Sequence, residues 1–305
     1  MACAQYVQLV AYRGALTYCR GEEEVELRAQ YACALHRAGD PDAAEEFRTA
    51  ASKARSLTDR EQRTFALGAV AFAQARVGAT EAARECYDAA LAVRASDALL
   101  AHNPELHEAL AQVAATLCDV PAVHSLAAQI PRVDLRARTL AQCGRELAEQ
   151  ARHGAATDIL AAAEVLAETD SNSETQWYTR GIIARGYLAA GAPVAAVRVA
   201  TLLRAGQERE HLLTQAVAQL VAAGQTEHAF TVVAQLQTTT NDRVERAAVL
   251  RCGDTFCHGS GAPVQSRVAC GNVANRIAAT WGARRGWRTG YRTTGWCCLG
   301  ATAGT

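Results

Sequence analysis

The chain has 305 residues, half of them apolar, and its 31 basic residues are balanced by 31 acidic residues. This length and composition allow a sizeable core in one large domain or two ordinary ones. A net charge of zero argues against a protein that binds nucleic acid or an anionic membrane with its whole surface. Lys53 is the single lysine, and the excess of arginine and alanine is typical of a GC-rich coding sequence.

The first segment, 1–26, is predicted to form an N-terminal helix or a partial repeat. It carries Arg13 inside its apolar stretch and has no basic start, so we expect no secretion signal. No run of 18 apolar residues occurs, and we therefore expect no membrane-spanning helix. Eleven cysteines without a secretion signal favour a reducing cytoplasm. Four of them are expected inside helices as small buried apolar residues: Cys33, Cys86, Cys118 and Cys143.

A small residue, a polar turn and an alanine-rich stretch recur along residues 27–250. We take the small residue of each recurrence as an anchor, and the anchors follow one another at intervals of 33 to 40 residues. An interval of this length is typical of stacked repeats. The anchors are Gly39, Gly78, Cys118, Gly154, Gly191 and Gly224. The predicted units lie near 27–59, 60–97, 98–134, 135–174, 175–209 and 210–242.

Each unit is predicted to contain two helices separated by the anchor. A glycine anchor ends the first helix because it adopts a left-handed conformation without steric cost. Pro41 and Pro193 are predicted in the first turn of the second helix, where no amide donor is needed. Thr80 and Thr226 are predicted as N-caps. The acidic run from Glu22 to Glu26 is interpreted as a solvated helix start.

Two columns of mostly small residues mark the predicted contact between the helices of a unit. Small residues at these positions let two helices pack closely. Seven residues before the anchor lie Ala32, Ala71, Ala111, Leu147, Ala184 and Val217. Five residues after it lie Ala44, Ala83, Val123, Ile159, Ala196 and Ala229. Positions five, eight and twelve after the anchor share one face of the second helix.

The column pattern is fullest in GATEAARECYDAALAV, from Gly78 to Val93, and in GDPDAAEEFRTAASKA, from Gly39 to Ala54. These segments resemble the tetratricopeptide repeat, and the resemblance extends over about residues 27–250. It implies an all-α fold, a right-handed α-solenoid of about six stacked helical hairpins, followed by an irregular C-terminal tail. The aromatic residue of the family's first helix is usually missing and its closing proline is absent. Another helical-hairpin repeat, such as the HEAT type, and a helical bundle without repeats are the alternatives.

The resemblance also implies a function, because the first helices of tetratricopeptide arrays line an inner wall that binds an extended peptide or a partner helix. Arginine binds carboxylates through paired hydrogen bonds, so an acidic peptide or the C-terminus of a partner protein is the expected guest. The alternative is that these arginines only complement a helix dipole. The inner-wall positions correspond here to Arg37, Arg76, Arg152, Arg185, His36, Phe72 and Tyr178.

We therefore predict a cytoplasmic protein–protein interaction scaffold that is not an enzyme and uses no cofactor or metal. The alternative is the sensor or interaction region of a larger bacterial signalling or transcription regulator. The sequence contains no phosphate-binding glycine loop, no nucleophile elbow and no HExxH pair.

Other chemistry-bearing residues are given structural roles. In HNPELHE, the five-residue spacing of His102 and His107 does not suit a helical metal pair. We predict instead that Asn103 caps a helix beginning at Pro104. Three carboxylates of the fourth unit are predicted to be surface charges: Asp158, Glu164 and Glu168.

Residues 251–305 differ in composition from the rest of the protein. They are rich in glycine and cysteine and contain seven arginines but one acidic residue, Asp254. We predict an irregular or disordered tail. A reading-frame change near Arg251 and nucleic-acid binding by the segment RRGWRTGYRTTGW are the alternatives. A zinc site is disfavoured because the spacing of its candidate ligands does not match zinc motifs: Cys252, Cys257, His258 and Cys270.

Overall fold

A computed structural model describes residues 2–170 and 172–239, including the side chains of 8–170 and 172–233. Within these ranges the protein forms thirteen α-helices and one short 3-10 helix, and it contains no strand. The predicted all-α class is therefore confirmed for this part. No helix in it has the length and hydropathy needed to cross a bilayer. The hypotheses on disorder, zinc, nucleic acid and reading frame in the tail concern residues outside the described ones.

The helices divide between two compact units, residues 1–220 and residues 221–305. The first contains α1 to α11 and most of α12, and the second contains α13. In chain order the helices are α1 (Ala2–Ala15), α2 (Gly21–Ala38), α3 (Ala43–Ser56), α4 (Arg60–Arg76), α5 (Thr80–Ala95), the 3-10 helix (Leu100–His102), α6 (Pro104–Thr116), α7 (Val120–Ala128), α8 (Val133–Glu149), α9 (His153–Thr169), α10 (Ser173–Ala189), α11 (Pro193–Thr201), α12 (Gln207–Ala222) and α13 (Thr226–Thr239).

Helices of the first unit pack in pairs, and the pairs follow one another. We call α2, α4, α6, α8 and α10 the first helices, and α3, α5, α7, α9 and α11 the second helices. Each first helix packs against its own second helix, and α2, α4, α6 and α8 each also pack against the first helix of the next pair. Each of the second helices α3, α5, α7 and α9 also contacts the first helix that follows it. In this unit, neighbours along the sequence are therefore neighbours in space.

The same turn joins the two helices of every pair. In each turn, the first or second residue that follows the first helix has a positive φ, between 57° and 81°. The amide of the next residue then donates to the carbonyl five residues earlier, over 2.8 to 3.0 Å. This is the Schellman motif, which satisfies carbonyls left free at the helix end. The positive-φ residues are Gly39, Gly78, Cys118, Ala151 and Gly191.

The predicted anchor of the fourth unit was wrong by three residues. Gly154 lies in the first turn of α9, and Ala151 has the left-handed conformation, with φ of 59°. Counting from Ala151 places Gly144 seven residues before the turn and Ala156 five after it, and both are buried. The small-residue columns therefore continue through the fourth pair, which has a non-glycine residue at its turn.

Helix starts account for the other local errors. In the first pair, Pro41 precedes α3 instead of lying in its first turn, so Ala43 is buried and Ala44 is exposed. Pro193 does begin α11, as predicted. Two predicted N-caps are instead the first residues of their helices: Thr80 and Thr226.

Three of the four helical cysteine predictions are confirmed, and the fourth is wrong. Cys33, Cys86 and Cys143 are buried within helices. Cys118 lies after α6 at the turn, partly exposed, with φ of 57°.

Leu160 of α9 fills the space between α8 and α10. Its side chain is fully buried. A Cβ atom added to Gly144 on α8 would lie 2.7 Å from this side chain, and one added to Gly186 on α10 would lie 2.6 Å from it. The two glycines therefore leave room for a leucine that a methyl group at either position would displace.

Glu164 of α9 is buried, with 7% of its surface exposed, so its prediction as a surface charge was wrong. Its carboxylate accepts hydrogen bonds from the Arg198 guanidinium of α11 and, over 3.2 Å, from the Tyr187 hydroxyl of α10. Packing of three helices explains this burial, which spacing along α9 alone does not reveal. Asp158 and Glu168 are exposed, as predicted.

Candidate functional site

A groove of about 520 Å³ lies over the first helices α2, α4 and α6. Tyr12 of α1 contributes to its wall. The side chains from α2 recur at helical spacing, as in Glu22, Glu26, Cys33 and Arg37, so they form one stripe along that helix.

The middle of the groove is apolar. Ala29 of α2 and Gly68, Ala69 and Ala73 of α4 line it without long side chains. Two half-buried aromatic residues, Phe65 and Phe72, flank these small residues. Apolar groups of a guest can therefore contact carbon surface here, and Gly68 leaves space that a larger residue would occupy.

One end of the groove is basic. Arg37 is the last residue of α2 that lines the groove, and Arg76 is the last residue of α4. The Cys33 thiol lies between the two helices and donates to the Ala73 carbonyl over 3.4 Å. Burial raises the pKa of Cys33, while the positive charges of Arg37 and Arg76 act in the opposite direction. Both guanidinium groups are thus close enough to act on one buried thiol.

The two arginines differ in their partners. Arg76 lies 3.7 Å from a carboxylate oxygen of Glu149 and 3.9 Å from one of Glu146, both on α8. Its guanidinium carbon is also 5.6 Å from the centre of the Phe72 ring. The Arg37 side chain is exposed and forms no hydrogen bond or ion pair within the described part of the protein. Arg37 is therefore the guanidinium that a guest can bind without displacing a partner.

The opposite end is acidic. Burial raises the pKa of Glu22, and the neighbouring carboxylates of Glu26, Glu61 and Asp59 raise it further. Asp59 and Glu61 lie at the start of α4, where the carboxylate of Asp59 caps the amide of Gln62. The first turns of α2 and α4 therefore place like charges together at this end.

The structure brings three of the predicted site residues together in the groove: Arg37, Phe72 and Arg76. His36 is exposed beside Arg37 but does not line the groove. Tyr178, also exposed, lines a separate pocket of about 210 Å³ over α8 and α10.

The remaining two predicted residues lie elsewhere. Arg185 of α10 is exposed and pairs with Glu208 of α12 over 3.2 Å. Arg152 is not on a first helix as predicted, because it follows the turn at Ala151 and is the N-cap residue of α9. The position two residues before the true turn is Glu149, one of the two carboxylates near Arg76.

Sequence reasoning missed the acidic half of the groove. Glu22 and Glu26 belong to the acidic run that predicts a solvated helix start, and Phe65 lies outside the predicted inner-wall positions. The spacing contained the signal, because Glu22, Glu26 and Arg37 fall on one face of a helix beginning near residue 21.

A separate polar cluster lies behind α6. His107, with 1% of its surface exposed, places Nε2 2.6 Å from an Arg94 guanidinium nitrogen. Asn103 caps α6 and Pro104 begins it, as predicted. No set of three or more histidine, cysteine or acidic side chains in the described ranges is arranged to hold a metal ion.

The sequence matches no protein-family model and no curated protein at a significant level. One solved structure similar to it is Ton1535 from Thermococcus onnurineus NA1, at 13% identity over 80% of this chain and 83% of that chain, with a TM-score of 0.34. Another is BtubC (BKLC) from P. vanneervenii, at 16% identity over 98% of this chain and 97% of that chain, with a TM-score of 0.38. At these TM-scores neither similarity supports a conclusion about fold or function.

Proposed function

We propose that this protein is a tetratricopeptide-like scaffold that binds a peptide or a partner helix in the groove over α2, α4 and α6. The packing of successive helix pairs on one another supports a stacked array. We propose that the array is a right-handed α-solenoid of about six hairpins. One observation carries the functional proposal: Arg37, Phe72 and Arg76, chosen from the sequence as inner-wall residues, line one groove of about 520 Å³. A cytoplasmic, non-enzymatic role is part of the proposal.

The groove offers the two kinds of contact that such recognition needs. Phe65 and Phe72 provide apolar surface, and the unpaired guanidinium of Arg37 offers paired donors to a carboxylate. Arg76 is a second donor, but a guest carboxylate must compete there with Glu146 and Glu149. Arg37 should therefore contribute more to binding than Arg76.

Affinity capture on the full-length protein tests the proposal when a groove variant is compared with a matched surface variant. We expect Arg37→Glu to lose partners that the wild-type protein captures, because the reversed charge repels a guest carboxylate. The control is Arg48→Glu on α3, whose side chain is 73% exposed and does not line the groove. Arg48→Glu should retain the wild-type partners.

A photo-cross-linking residue introduced at position 72 gives a second readout. The partners lost from Arg37→Glu should be trapped from position 72 and not from position 48. Capture of the same partners by all variants would remove the groove from the proposed function.

A further inference from the structure

The groove over α2, α4 and α6 carries opposite charges at its two ends. We infer that it binds an extended peptide segment of about five to seven residues, with a lysine or arginine at one end and a carboxylate at the other. This inference rests on the proposed function and specifies the guest of the same groove.

The orientation of the helices creates the two ends. The starts of α2 and α4 lie at the same end, because α3 packs on both helices and returns the chain from the end of α2 to the start of α4. Their last turns also lie together, since Cys33 of α2 donates to the Ala73 carbonyl of α4. The two helices therefore run in the same direction. Their acidic side chains lie at one end of the groove and their basic side chains at the other.

The spacing of the charges sets the length of the guest. Glu26 and Arg37 are about 16 Å apart along the axis of α2, and Glu22 and Arg37 about 22 Å, at 1.5 Å per residue. An extended peptide advances about 3.3 Å per residue, so about five to seven residues cover these distances. A helical guest of the same span would need about 11 to 15 residues.

Two amide side chains in the groove favour an extended guest over a helical one. Gln30 donates its Nε2 to Glu26 over 3.1 Å, and Gln112 donates its Nε2 to Gln142 over 2.8 Å. Among the side chains that the structure describes, none donates to the carbonyl oxygen of either residue, so each oxygen can accept from a guest. An extended peptide presents unpaired backbone N–H groups to such acceptors, whereas a helix uses most of its own internally.

Helix dipoles account for acidic residues at the start of α2 and basic residues at its end, and Glu23, Glu24 and His36 lie there outside the groove. The inference depends instead on position, because Glu22, Glu26 and Arg37 line one groove together.

Selection of random heptapeptides displayed on phage, with the immobilised full-length protein as bait, tests the inference. We expect the enriched peptides to pair a lysine or arginine with an aspartate or glutamate five or six positions away, six being the largest separation that a heptapeptide allows. Arg37→Glu should replace the acidic position of the consensus with a basic one. The double variant Glu22→Lys, Glu26→Lys should replace the basic position with an acidic one. Arg48→Glu and Glu85→Lys, both outside the groove, should keep the wild-type consensus.

Fluorescence anisotropy on a synthetic peptide of the wild-type consensus gives the size of the effect. Each charge-reversed groove variant should bind it about five- to tenfold more weakly. A peptide with the matching charge reversed should restore binding, which a misfolded variant cannot do.

The remaining outcomes separate the two proposals. Enriched peptides that need Phe72 but show no charge pairing would overturn the inference and leave the proposed function in place. If no heptapeptide is enriched, the inference is overturned, and the capture experiment on Arg37→Glu decides the proposed function separately.

Discussion

The groove region over α2, α4 and α6 and the packed region around α8, α9 and α10 use small residues in opposite ways. In the packed region, Gly144 and Gly186 face Leu160, which fills the space they leave. In the groove region, the nearest atom to a Cβ at Gly68 is 3.8 Å away, on Leu110. A small residue on a first helix therefore creates either a close contact or an open surface, depending on the residue opposite.

Charged residues show the same contrast. Glu164 is buried and bonded to Arg198 and Tyr187, so its charge is used within the fold. Arg37 and Glu22 line the groove without a hydrogen bond or ion pair in the described part of the protein. The packed region therefore uses its charges within the fold, whereas the groove region keeps two charged side chains without a partner among the described residues.

The largest expected effect that sharpens this comparison is the loss of Leu160. Leu160→Ala should lower the free energy of unfolding by about 3 kcal/mol, because it removes a fully buried side chain and leaves a cavity. Leu202→Ala, at a position that is 51% exposed, is the matched control and should change stability by less than about 0.5 kcal/mol. Urea unfolding followed by circular dichroism measures both. Equal effects would show that the region around Leu160 is not tightly packed.

A smaller effect comes from adding one methyl group to a glycine in each region. Gly186→Ala should destabilise the protein by about 1–2 kcal/mol, because the new methyl group overlaps Leu160. Gly68→Ala should instead stabilise it by about 0.5–1 kcal/mol, since alanine favours helix and space is available. Thermal unfolding of the two variants gives both signs. A loss of stability in Gly68→Ala would mean that the groove is not open at that point.

Repeat spacing and turn chemistry made much of this fold predictable. Gly39, Gly78 and Gly191 occupy the predicted turns because the left-handed conformation there suits glycine. Ala151 adopts the same conformation without being glycine, and Gly154 nearby gave a misleading signal. Without a glycine at position 151, the sequence contains no local signal for this turn.

The basic end of the groove could be predicted from the sequence, and its acidic end could not. Arg37, Phe72 and Arg76 could be selected because the repeat fixes their position relative to a turn. Glu22 and Glu26 could not be selected by that rule, because they lie at the far end of the first helix. The partners of Arg76 depend on contacts between separate first helices, and the sequence contains no local signal for them.

The smallest expected effect is a pH-dependent change in the free energy of unfolding, and it depends on His107, a buried histidine of α6 next to Arg94 of α5. A guanidinium can only donate, so Nε2 of His107, 2.6 Å from Arg94, can accept from it when the ring is neutral. Burial lowers the pKa of His107, and the charges of Arg94 and His102 lower it further. The Ala101 carbonyl, 3.1 Å from Nε2, acts in the opposite direction.

The lowered pKa of His107 makes the folded state less stable at acidic pH. Below about pH 6.5, the unfolded protein takes up a proton on His107 before the folded protein does. The contribution of His107 to the free energy of unfolding should therefore decrease as the pH falls through this value, which urea midpoints at pH 7.5 and pH 5.5 measure. In His107→Gln this component of the decrease should disappear. Burial raises the pKa of Glu22 and of Glu146, which changes stability with the opposite sign, but equally in both proteins. The difference between the two pH profiles thus reports His107 alone, and identical profiles would contradict a neutral, buried histidine.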